Sequence, residues 1–387
     1  MTADEQDLWC ALRGDGSRPR ARRTRTRERK NDVSDTAERT ADVAGPPPRN
    51  QGAGGDFLAT LRGGTAAFLR QREATVFVVV VALVIYFRIA SSNFFSHANL
   101  DTLFSGVAAP YIILSIGEVL LLICGEIDLS VGFTFTLAPF IMYFLVVYYG
   151  FPVILAIIAT LVFGLVVGAI NAFLTVALRL PSFIATLGTS FILYGLVLTT
   201  SHAEPVTPTA SMEGIGKFFG NETASAWGWS AIIWAVVLVA IFHVVLTRTR
   251  WGLHTIAVGG NLLGAREAGI SVARIKYGNF MITGLLGALV GIQVAFYDNT
   301  IDPSAGGYNY MFYAVAAAVL GGTAMLGGAG TIIGGCLGAF LLSILTDGFQ
   351  IIGVSANPLF IIFGAAVLIA MIANVQLGRL REMGRIR

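Results

Sequence analysis

Two carboxylates, Glu126 and Asp128, stand in the run GEIDLSVG (125–132) between two stretches of almost unbroken apolar residues, 106–124 and 131–148. A helix of about 20 apolar residues crosses the hydrocarbon of a bilayer, within a range of about 17–25. The two acids therefore fall at a membrane boundary or inside it. A charge at the centre of a spanning helix costs roughly 3 kcal/mol or more, so acids placed there face protein, water or a transported solute. This pattern points to a transporter.

Composition agrees. The 387 residues are 55% hydrophobic and only 13% charged, against about 25% charged in a soluble domain. The 45 glycines suit close packing of helices in lipid. Ten apolar segments follow one another: 74–90, 106–124, 131–149, 151–176, 182–200, 229–247, 277–297, 311–328, 330–346 and 357–374. They are continuous rather than alternating, which excludes an outer-membrane barrel built of strands of about ten residues. The fold class expected is an all-α polytopic membrane protein of about ten transmembrane helices. The pair 311–328 and 330–346 is Gly-rich with almost no polar separator, so a tight turn or a partly re-entrant stretch is expected there.

Basic residues orient the chain. Beyond residue 56 there are 15 Lys and Arg. With the N-terminus in the cytoplasm and ten spans, all but Arg88 and Lys217 fall inside, and Arg88 can snorkel from the end of its span. Both termini are thus expected to be cytoplasmic. Residues 1–56 read as a disordered Arg-rich tail drawn to anionic lipid headgroups, without call for a nucleic-acid partner. Residues 57–73 read as a juxtamembrane segment, 74–374 as the transmembrane domain and 375–387 as a basic cytoplasmic tail. No short apolar run lies near Met1, so no cleavable signal peptide is expected.

The longest inner loop, 248–276, is too polar to cross. After a Gly259–Gly260 turn, Leu262, Ala265 and Ile270 with Arg266, Glu267 and Arg274 suggest a short amphipathic helix. Such a helix fits a docking element for another protein, or one lying on lipid. Glycines four apart at Gly330/Gly334/Gly338, Gly164/Gly168 and Gly287/Gly291 line helix faces that can approach closely. Glu118, well inside its span, reads either as a path-facing acid or as a protonated carboxyl hydrogen-bonded to a neighbouring helix. Asn171 reads as an interhelical hydrogen-bonding residue. Cys10, Cys124 and Cys336 lie far apart and the four histidines are scattered, so no metal site, disulfide framework or cofactor is expected. The sequence contains no H-E-x-x-H, G-x-S-x-G or G-x-x-x-x-G-K-[ST] run. The chain is therefore not expected to be an enzyme, and no catalytic residues are assigned; ATP hydrolysis, if it drives the machine, has to come from another chain.

Four runs occur in order: GEIDLSVG (125–132), LPSFIATLGT (180–189), AVGGNLLGAREAGI (257–270) and VLGGTAMLGGAGTIIGG (319–335). Together they resemble the membrane permease family of bacterial ABC importers for ribose, xylose and related sugars, over about residues 74 to 374. The resemblance implies a multi-pass protein of the bacterial inner membrane. It also implies a translocation path shared with a second permease subunit, two ATP-binding cassette subunits on the inner face, and an extracytoplasmic solute-binding protein. It assigns ATPase coupling to Gly259, Gly260, Asn261, Ala265, Arg266, Glu267, Gly269 and Ile270. It places Asp128, Ser130 and Gly132 in the family's acidic motif and Phe183, Thr186 and Gly188 in a second stretch, both expected near the path. Glu118, Glu126 and Asn171 join them as pathway candidates. The family more often carries glycine where Glu126 stands and an apolar residue where Glu118 stands. Two further acids widen the expected solute from a pentose or hexose to a polyol, an amino-bearing sugar or a cationic solute. The alternative is an ion-coupled secondary transporter using Glu118 or Asp128.

Overall fold

The computed structural model describes residues 72–220, 229–354, 360–365, 367–369 and 372. These residues belong to the unit Leu58–Arg387. The Arg-rich tail 1–56, most of the juxtamembrane segment and the basic tail 375–387 lie outside the described residues.

Each apolar segment up to residue 346 becomes a helix. Seven are long and apolar enough to cross a membrane: α1 (Glu73–Ala90), α2 (His97–Ile123), α4 (Val153–Ala177), α5 (Ser182–Ser201), α7 (Ser230–Arg248), α10 (Val272–Tyr297) and α12 (Ile332–Ile351). Two are shorter, α3 (Val131–Val147) and α11 (Gly307–Leu320). Three short helices lie between the long ones: α6 (Ala210–Phe219), α8 (Arg250–Gly260) and α9 (Leu262–Glu267). A further apolar helix, Phe360–Ile369, falls within the expected segment 357–374, which is only partly described. The fold is all-α and polytopic. Among the described residues the β contribution is one isolated antiparallel bridge, Val206 to Ile301.

The helices divide into an inner set and an outer set. The apolar window of α2 is 89% buried and that of α10 is 78% buried, whereas those of α1 and α7 are 17% and 22% buried. Outer helices expose aliphatic side chains such as Ile85, Ile192 and Val236, as a surface solvated by lipid rather than water requires. Around α10 pack α4, α3 and α2; α11 and α12 pack together and against α2.

Glycine sets how near the inner helices come. A Cβ on Gly168 would lie 2.2 Å from the Phe280 carbonyl oxygen, and one on Gly164 would lie 2.4 Å from that of Gly284. The spacing read from sequence therefore brings α4 against α10. Gly291 meets α3 at the Phe135 carbonyl, Gly338 meets α11 at the Ala317 carbonyl, and Gly334 meets Gly321 just past the end of α11. All are contacts within one subunit.

Two expectations change in detail. The stretch 311–328 is not one helix: α11 ends at Leu320, and 321–331 forms a folded connector with Gly322, Gly327 and Gly328 in the left-handed region. In 248–276 the turn falls after Gly260, not at Gly259–Gly260, because α8 continues helical through both glycines. The amphipathic helix shrinks to Leu262–Glu267; Ile270 follows it and Arg274 belongs to α10.

Candidate functional site

The GEIDLSVG run begins where α2 stops. Gly125 adopts φ +78, so the Glu126 N–H reaches back to the Leu121 carbonyl at 2.9 Å and the Gly125 N–H to Leu122 at 3.0 Å. This pair of bonds closes the orphan carbonyls of a helix end and needs a left-handed residue at its pivot, which glycine supplies.

The non-helical link that follows is half-buried at Glu126 and Ile127 and buried from Asp128 to Ser130, and irregular backbone at membrane depth survives only where its polar groups find partners. Side chains supply them one after another. Ile127 N–H donates to Ser182 Oγ at 3.3 Å, Leu129 N–H to Thr186 Oγ1 at 3.0 Å, and Ser130 N–H to Asp128 Oδ1 at 2.8 Å. Asp128 N–H points to Glu118 Oε2 at 3.5 Å. Glu118 comes from α2, and Ser182 and Thr186 from α5, so two helices clasp the link.

Asp128 is fully buried. Its Oδ1 also accepts the Ser130 hydroxyl at 2.7 Å, and the Asn171 amide of α4 reaches both carboxylate oxygens at 3.2 Å. The same amide donates to Ser130 Oγ at 2.7 Å. Glu126 forms an ion pair with Lys276 near the start of α10, both side chains being largely buried. Glu118, Asp128, Ser130, Asn171 and Thr186 are thus brought into one cluster, with Glu126 on its edge. Phe183 is not in it: its side chain is exposed on α5. Within the cluster Glu118 Oε1 and Asn171 Oδ1 are buried acceptors with no partner among the described residues. Those residues hold no group of three or more metal-binding side chains.

The inner loop expected to dock a partner adjoins the same place. Gly259 lies so near the end of α2 that a Cβ there would sit 1.7 Å from the Ile123 carbonyl oxygen. That carbonyl accepts the Gly328 N–H at 2.7 Å, so α8, the 321–331 connector and the helix end meet at one point. Asn261 caps α9, its Oδ1 accepting the Gly264 N–H at 2.9 Å. Ile270 N–H bonds the Ala265 carbonyl at 2.9 Å, Gly269 N–H bonds that of Arg266 at 2.9 Å, and Gly269 has φ +77. The same glycine stop that ends α2 therefore ends α9. Ala265 faces inward, while Leu262, Leu263, Arg266 and Glu267 are exposed.

Sequence reasoning missed three participants. Ser182 gave no signal beyond lying in the run LPSFIATLGT. Lys276 counted only as one inner basic residue; its partner is 150 positions away. Asn279 stands in an otherwise apolar stretch, the same signal that singled out Asn171. It accepts the Trp251 indole N–H at 2.9 Å and donates to the Leu120 carbonyl at 3.3 Å and to Thr255 Oγ1 at 3.4 Å. It ties α8 and the end of α2 to α10.

The described residues form a helical multi-pass bundle with polar groups buried around a break between helices, an arrangement that membrane transport proteins use. Residues 102–372 match the family model described as "Branched-chain amino acid transport system / permease component", and the chain belongs to that family. It is similar to the xylose/arabinose import permease XylH of Sulfolobus acidocaldarius, 33% identical over 315 residues that cover 79% of this chain and 85% of the relative. The fructose import permease FrcC of Rhizobium meliloti is 31% identical, covering 79% and 86% of the two chains. The ribose import permease RbsC of Escherichia coli K12 is 31% identical, covering 80% and 95%. No solved structure matches.

Proposed function

We propose that this chain is the membrane permease subunit of an ATP-driven ABC importer for a sugar or related polar solute, a pentose, hexose or polyol. It sits in the bacterial inner membrane and forms the path with a second permease subunit. A solute-binding protein delivers the solute outside, and ATP-binding cassette subunits hydrolyse ATP inside, so the chain itself catalyses nothing. Both termini are cytoplasmic.

The observation that carries the mechanism is the contact of Gly259 with the Ile123 carbonyl. The exposed face of α9, with Leu262, Leu263, Arg266 and Glu267, is where a cassette subunit would grip. Motion imposed there reaches the end of α2 through backbone contact, without an intervening flexible side chain. The end of α2 is the start of the 125–130 link, which we take to border the path with Phe183 on the neighbouring exposed face. Asp128, Asn171 and Thr186 hold the link in shape, and the acceptors Glu118 Oε1 and Asn171 Oδ1 lie buried behind it, where the hydroxyl groups of a solute reach them only when the helices part. Pairing of Glu126 with Lys276 cancels one of the two extra acids, which favours an uncharged solute over a cationic one. The relatives are named as import permeases, and nothing favours the ion-coupled alternative.

Reconstitution with the cassette subunits and the binding protein tests this reading. Arg266→Ala or Glu267→Ala is expected to abolish the stimulation of ATP hydrolysis by loaded binding protein while leaving the permease folded. Solute accumulation by the purified chain alone in liposomes, driven by an ion gradient, would overturn it.

A further inference from the structure

Away from that cluster, α6 and the first turns of α7 enclose a groove of about 630 Å³ lined by Lys217, Phe218, Ser230, Ile233, Trp234 and Val237. The volume lies in the range that accepts a drug-sized ligand. Three features give it a chemical direction. Ser230, the first residue of α7, is only 5% exposed, and its hydroxyl has no hydrogen-bond partner among the described residues. The Trp229 side chain makes no capping bond to that helix start, where free N–H groups and the helix dipole favour an anion. Lys217, in the last turn of α6, is exposed and adds a positive charge to the same groove.

The remaining lining is apolar and firmly set. The Trp234 indole N–H donates to the Phe218 carbonyl at 3.1 Å, and the ring stacks on Phe219 at 6.0 Å between centroids. Beyond Ile233 and Val237 the same side of α7 exposes Val236, Ile241 and Val244, an apolar face suited to hydrocarbon. A cationic mouth beside an apolar channel, at the depth where a spanning helix starts, matches a phospholipid rather than a water-soluble ligand.

We propose that this groove holds one anionic glycerophospholipid. Its phosphate accepts from the Lys217 ammonium, the Ser230 hydroxyl and the open N–H groups of α7, and an acyl chain lies along Phe218, Ile233, Trp234 and Val237. The site does not depend on which solute is transported.

The test is native mass spectrometry of the purified full chain in mild detergent, with equimolar phosphatidylglycerol and phosphatidylethanolamine carrying the same acyl chains. Wild-type protein is expected to retain phosphatidylglycerol preferentially. Lys217→Gln is expected to lower that preference about fivefold, the effect of one basic residue at a lipid surface. Ile233→Trp, at a side chain half exposed and therefore tolerant of size, is expected to fill the groove and reduce retention of both lipids with unchanged elution on gel filtration. Equal retention of the two lipids by wild type, indifference to Lys217→Gln, or full retention in Ile233→Trp overturns the proposal. So does a lipid-free dimer that Ile233→Trp disperses, which would assign the groove to a second copy of the chain.

Discussion

Asp128 is an acid placed where its charge has to find hydrogen-bond partners. It is fully buried, yet its carboxylate collects the Ser130 N–H and hydroxyl and the Asn171 amide. Buried hydrogen bonds matter most through the cost of removing one partner, on the order of 1–3 kcal/mol and more for a charged group. Asn171→Ala is therefore expected to destabilise the protein by at least that order and to lower its melting temperature in detergent; melting indistinguishable from wild type would mean these bonds carry no weight. Glu126 and Lys276 make a second residue-scale test. Exposed ion pairs contribute about 1 kcal/mol or less, but these side chains are only 10% and 16% exposed. Lys276→Met is expected to cost more than that surface figure by leaving Glu126 unmatched. The exchange Glu126→Lys with Lys276→Glu is expected to recover most of the loss in the same melting assay.

The elements are held at distances that glycine alone permits. At Gly168 a side chain would need the space occupied by the Phe280 carbonyl, whereas nothing lies within 4 Å of a Cβ on Gly188. Gly168→Leu is expected to push α4 from α10 and cost at least the roughly 1–3 kcal/mol of an overpacked core, lowering the yield of monodisperse protein on gel filtration. Gly188→Ala is expected to purify as wild type does, so the pair separates close approach from glycine content as such. The four-residue spacing of these glycines was legible in the sequence. Their partners were not, because a helix face shows what it can accommodate but not which helix will come. The short α9 was legible in position and in its Ala265 core contact, and was overestimated in length because Gly269 stops it two residues after Glu267.

Over the whole molecule, α8, the 321–331 connector and the end of α2 converge although they are far apart in the chain. Asn261→Ala, which removes the cap of α9, is expected to cost about 1 kcal/mol of local stability. Its larger effect is expected in function: basal ATP hydrolysis by the reconstituted complex persists while its stimulation by loaded binding protein falls. Equal losses in basal and stimulated hydrolysis would instead indicate that the complex no longer assembles. Topology gives the remaining test. Single cysteines at Arg70 and Arg379, in a chain whose own three cysteines are replaced, are expected to be protected from an impermeant thiol reagent in intact cells and labelled after lysis. Labelling of either before lysis would reverse that end of the chain.

Sequence alone was enough for the class of this protein: local hydrophobicity over about 20 residues decides which stretches enter lipid, and that quantity needs no tertiary information. It likewise marked the polar residues that cannot sit in hydrocarbon without a reason, Glu118, Asp128 and Asn171 among them. What those reasons are depends on how the helices pack. In the link from 125 to 130 the N–H groups of Ile127, Asp128 and Leu129 are met by side chains from α5 and α2, and Asn171 from α4 then secures Asp128. Apart from Glu118, ten positions before Asp128, these partners and the Glu126–Lys276 pair are 41 to 150 positions apart, and the pairing exists only once the helices have packed.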